Sequence, residues 1–123
     1  MRGERGSGSI VVAGILVVVV VTAMGLADVA RTLVAASRAQ TAADAAALAA
    51  AQTLAFPSGE EVPADVARIL AERNGAALIT CACDAPALEA TVTVEVPVGR
   101  LLLGSDDRSV TARARAIVDV PVP

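Results

Sequence analysis

From Ile10 to Ala27 the chain runs 18 residues without a charge, and no Gly or Pro interrupts it from Val29 to Phe56. No other feature constrains the fold as much. An α-helix rises 1.5 Å per residue, so the uncharged block alone spans about 27 Å, close to the hydrocarbon thickness of a bilayer. Its run of valines does not argue against helix, because in lipid every backbone polar group must be satisfied within the segment. A helix that is apolar on all sides must be wrapped by protein or lie in lipid, and the rest of a 123-residue chain is too small to wrap it. The expectation is a membrane span over residues 10–27, preceded by a leader at 1–9.

The span's fate and direction are read from its flanks. Arg2, Arg5 and the amino terminus precede it, and Arg31 and Arg38 follow. A short cationic leader favours a cytoplasmic N-terminus, with everything past Asp28 outside. Gly25-Leu26-Ala27 also has the small residues that signal peptidase accepts, so a cleaved secretion signal is the competing outcome. The apolar run is longer than the usual signal core of about 7–15 residues, which favours retention.

Beyond Asp28 the helix is expected to continue through residues 28–56, where Ala, the strongest helix former, dominates until Pro57-Ser58-Gly59 stops it. Asp28 and Arg31 are three residues apart, close enough to pair on one helix face, and they read as the membrane boundary. The run from Ala42 to Ala51 carries Asp44 as its only charge. Small side chains let helices approach closely, so Ala42, Ala43, Ala46 and Ala50 are expected to pack against other helices. A helix lying on its own domain is the plainer reading of the same residues.

Residues 57–123 read as a small α+β unit. Ser58 or Pro63 opens a short helix with Val66, Ile69 and Leu70 at helical spacing and Gly75 as its stop. Three strands are expected at 76–83, 90–98 and 109–120. The second alternates, with Val92, Val94, Val96 and Val98 on one face. The third opposes Val110, Ala112, Ala114 and Ala116 to Thr111, Arg113 and Arg115. Pro97 places the second strand at an edge or ends it. Gly104-Ser105-Asp106-Asp107 supplies turn chemistry before the third. The whole is α+β: a long N-terminal helix, a short helix and a small antiparallel sheet. With Phe56 as the only aromatic, such a unit buries little and needs support from the long helix, a partner or a disulfide.

Composition narrows the chemistry. There is no His, Trp or Tyr, and all ten cations are Arg. The missing His removes the usual general base and the commonest metal ligand, so no catalytic, cofactor or metal site is expected. Past the leader, acids outnumber Arg, which argues against nucleic acid. Cys81 and Cys83 are two apart in a strand and so share a face. Outside the cytoplasm they are expected to form a disulfide, within the chain or between chains, with two buried thiols as the alternative.

A leader ending in Gly, an apolar span, an Asp and an Arg at its outer end, and Gln40 followed by Ala-Ala-Asp-Ala-Ala-Ala-Leu-Ala over residues 42–49 are together similar to the N-terminal region of TadE/TadG-like pilus-assembly proteins. The short length and Gly-Ser-Gly-Ser start look most like the small TadE-like proteins of high-GC actinobacteria, whose genes lie near helicase and secretion genes. The resemblance implies a pilin-like structural or accessory component of a Tad/Flp-type pilus or related secretion apparatus. Its implied partners are membrane lipid, other pilin-like or Tad apparatus subunits and a prepilin-type peptidase that cuts between Gly6 and Ser7. One departure stands out: pilin-like sequences carry Glu at the fifth residue after such a cut, and here that residue is Val11. This favours an accessory component over a major pilin. A single-pass surface binding module outside any filament is the alternative, its one candidate patch being Arg113 and Arg115. A secreted enzyme freed by signal peptidase is opposed by the missing catalytic groups.

Overall fold

The first helix, α1, runs without interruption from Arg5 to Ala55, 51 residues or about 75 Å. The computed structural model describes residues 5–122. The expected start at Ile10 moves back, because Gly6-Ser7-Gly8-Ser9 joins the helix. Extending an existing helix fixes one residue per hydrogen bond, so a strongly helical block can recruit weak formers at its end. At the other end Phe56 N–H still donates to Gln52 O at 2.8 Å, and Pro57 blocks the next turn.

The second helix, α2, spans Pro63–Arg73. Pro63 sits in its first turn, where a missing N–H costs nothing, with Asp65 beside it and Arg73 in the last turn, both favourable to the helix dipole. It ends in a Schellman motif: Gly75 N–H donates to Glu72 O and Ala76 N–H to Ala71 O, with Gly75 at φ 76°. The buried residues of α2 are Ala67 and Ala71, while Ile69 is exposed. The expected Val66–Ile69–Leu70 face is therefore rotated toward the alanines, which let α2 lie close against α1.

Three antiparallel strands follow, β1 (Ala77–Asp84), β2 (Glu89–Pro97) and β3 (Ser109–Ile117), in the spatial order β1-β2-β3. Pro97 ends the central strand instead of marking an edge. A turn at Ala85–Leu88 joins β1 to β2, with Leu88 at φ 52°. The β2–β3 connection is a long loop rather than a tight hairpin. Within β1 the register shifts between Leu78 and Thr80. Strict alternation would set Leu78 opposite to Cys81 and Cys83. The bulge reverses the phase, so all three pack toward the core.

Helices cover one face of the sheet. Ala90, Val92, Val94 and Val96 of β2 point inward and are buried, and their neighbours Thr91, Thr93 and Glu95 face out. Against them lies the outer half of α1, with Ala35, Ala39, Ala42, Ala43, Ala46, Ala47, Ala50 and Ala51 all buried. The largest fully buried side chains are three valines. A core of alanine against valine has small knobs on both sides, so the helix backbone and the sheet can approach closely, and contact depends on that approach.

This corrects the partner expected for Ala42, Ala43, Ala46 and Ala50. All four are fully buried against the chain's own sheet and α2, so they offer no free surface to another helix. The physical reason is that 67 residues without an aromatic core cannot bury enough area alone, and α1 supplies the missing wall.

Candidate functional site

Two stretches of α1 have opposite environments. The outer half is the core just described. The inner half, from Ile10 through Val21, is exposed throughout, with Ile10 at 75% and Val18 at 65%. The apolar window that qualifies as a membrane span has none of its residues buried within the protein. Thr22 donates its hydroxyl to Val18 O at 2.8 Å, so the polar side chain in the block is satisfied inside the helix. A single exposed apolar helix of this length fits a single-pass membrane anchor.

At the end of the block sits a built constellation. Asp28 Oδ1 accepts the backbone N–H of Leu102 and Oδ2 that of Leu103, both at 2.7 Å. Arg31 Nη1 lies 3.6 Å from Asp28 Oδ1 and donates to Arg100 O at 2.8 Å. Thr32 donates its hydroxyl to Asp28 O at 2.9 Å. One acid and one cation of α1 thus hold the loop between β2 and β3 against the helix. The Leu102 N–H is the main cause holding the Asp28 carboxyl below its ordinary value, with Leu103 and the Arg31 charge adding to it against the opposing effect of desolvation.

Spacing in the sequence brings Asp28 and Arg31 together, and the structure places them so. It also shows what spacing could not: the closer partners of both are backbone groups about seventy residues downstream. The unread signal was Leu101-Leu102-Leu103, an apolar triplet in a loop closed by Gly99 and Gly104. Leu101 Cδ1 lies 2.6 Å from where a Cβ on Gly104 would sit, so the turn is closed around a residue with no side chain.

The other expected site residues are scattered. Gly6 and Ser7 lie in the first turn of α1, exposed, and the leader residues 1–4 fall outside the described residues. Cys81 and Cys83 are joined as a disulfide within β1, opposite Val92 and Ala90 of β2. On the wet face Arg115 grips Glu89 through two nitrogens at 2.7 Å, and this hydrogen bonding holds the Glu89 carboxyl down and the Arg115 guanidinium up. Ser109 donates to Glu95 beside it. The Arg113–Arg115 patch therefore has one cation already paired within the sheet. Among the described residues no group of three or more Cys, Asp or Glu is gathered as a metal site would need.

No curated relative and no solved structure matches the chain. A family model does, and its reach coincides with α1: it takes in the exposed span, the Asp28–Arg31 anchor and the buried alanines, and it stops before α2 and the sheet. Residues 6–53 of this chain match the TadE/G-like Flp pilus-assembly family.

Proposed function

We propose that this chain is a single-pass, pilin-like accessory component of a Tad/Flp-type pilus or related secretion apparatus, with its N-terminus in the cytoplasm and its α+β domain outside. The observation that carries this is one unbroken helix with two environments: an apolar half left bare and an alanine half that forms the wall of a folded domain. Matching of that same helix to a pilus-assembly family supports it. The helix runs without a linker from the span into the core of the domain, so lateral packing of the span bears directly on the outer domain.

Because the alanine face is occupied within the chain, contacts with other subunits fall to the span and to Leu26, Val29 and Leu33, which are exposed on the turns just around the membrane exit. Helix packing in lipid is driven by close contact and not by the hydrophobic effect, so Gly14, which has open space around it, is a natural approach point within the span. The exposed Gly6–Ser7 peptide is the proposed cut for a prepilin-type peptidase. Val11 stands where a Glu would neutralise a neighbour's new amino terminus, which favours an anchored accessory role over the body of a filament.

Membrane fractionation with intact-mass measurement tests this. The expected result is a carbonate-resistant membrane protein whose mass is that of the full chain or of a chain beginning at Ser7. A soluble protein beginning at Asp28 would mean that the block is a discarded signal and that the proposal is wrong.

A further inference from the structure

We propose that the tip of the β2–β3 loop, Leu101–Leu103, is a second membrane contact that enters the interfacial layer of the leaflet from which α1 emerges. The proposal rests on the reading of residues 10–27 as a retained span.

Position is the first argument. Leu103 Cδ1 lies 3.9 Å from the place where a side chain on Gly25 would begin. Gly25 is inside the uncharged block, three residues before Asp28, or about 4.5 Å along the helix axis. A leucine packed there has passed the level set by Asp28. Surface elements that lie in the interface bury their apolar sides about 5–10 Å, so this depth lies at the shallow edge of that range.

Exposure is the second. Leu102 is 52% and Leu103 56% exposed, although a loop in water is normally polar at such positions. They cannot fold away, because the backbone N–H of each is held by Asp28 and the preceding carbonyl of Arg100 by Arg31. The clamp fixes the apolar tip beside the span, so the bare surface of the loop is continuous with the bare surface of the helix. The occupant of the second surface is then the occupant of the first, which is lipid.

The third is the edge of the loop. Arg100 and Arg108 flank the leucines, and long cationic side chains can lie along apolar surface with their heads at the phosphate level. Asp106 and Asp107 sit in the same loop, so the contact is apolar in origin and not a response to lipid charge. Together the helix and the loop give the domain two points of attachment. A lone helix leaves the domain free to tilt and rotate about its axis, and the second point limits both.

The chain contains no Trp, so single Trp probes read out cleanly in the full-length protein. Leu102→Trp, with Leu103→Trp as a second variant, is reconstituted in phosphatidylcholine vesicles. Arg113→Trp on the wet face of the sheet and Val18→Trp within the span are the references. The expected result is blue-shifted emission from the loop probes, quenching by lipids bearing a nitroxide close to the headgroup, and iodide quenching about threefold or more below that of the Arg113→Trp reference. Adding Asp28→Ala should release the loop and restore iodide access. Iodide quenching equal to the wet-face reference would overturn the proposal. So would a probe shielded from both iodide and labelled lipid, which would mean that protein covers the leucines. If the Val18→Trp probe itself escapes lipid quenching, the span reading fails and takes the loop contact with it.

Discussion

Asp28 shows how one residue can join distant parts of a chain. Its carboxylate has three partners, two backbone N–H groups and a guanidinium, and each favours the charged form. Its folded-state acidity is therefore stronger than in the unfolded chain, and the sign of the pH dependence follows. The clamp's contribution is fully present above the ordinary value of 3.8 and is lost as the pH falls through the lowered one. Hydrogen exchange should show the Leu102 and Leu103 amides protected at neutral pH. In Asp28→Ala that protection should disappear while the β2 amides keep theirs. Equal protection in parent and variant would mean that the loop holds itself in place. A pair at (i, i+3) is legible in sequence. The backbone donors that dominate it are not, since every residue offers an N–H and only tertiary folding decides which one arrives.

At the level of elements, the contact of α1 with the sheet makes alanine a specific requirement. Ala46 is fully buried within the cluster of alanines and valines where α1, α2 and the sheet meet, and a larger side chain there must displace its neighbours. Ala46→Leu should lower stability by about 1–3 kcal/mol, although Leu is nearly as good a helix former. Gln52→Leu, on an exposed position of the same helix, should leave the melting temperature almost unchanged. Thermal unfolding of the full chain in detergent, followed by circular dichroism, compares the two. Equal melting temperatures would show that the helix does not pack on the sheet as described. The disulfide in β1 has a different weight. It joins residues two apart, so it removes little freedom from the unfolded chain. Replacing both Cys81 and Cys83 by Ser should therefore cost no more than about 1.5 kcal/mol on loop-closure grounds. A loss of folding in the double variant would mean that the bridge supports the β1 edge in some further way.

For the whole molecule, one unbroken helix joins the exposed apolar stretch to the folded domain. With helix continuous from Arg5 to Ala55, no loop or linker separates the apolar stretch from the domain. Protease added to spheroplasts is expected to digest the chain beyond Asp28, and protection of that region would invert the proposed topology. Much of this plan was legible in residues alone: the uncharged block, the helix-forming run after it, the stop at Pro57 and the alternation of β2 and β3 each follow from short-range periodicity and from the chemistry of charge, Gly and Pro. Those properties belong to single residues and their near neighbours, and they survive whatever the rest of the chain does. The face on which Ala42, Ala43, Ala46 and Ala50 would pack was not of that kind, because a small residue permits close approach without naming what approaches. Nor were the reversal of phase at Leu78 and Thr80 or the capture of the Leu101–Leu103 loop by Asp28. Each depends on a partner far along the chain, and only the closing of the sheet onto α1 brought those partners within reach.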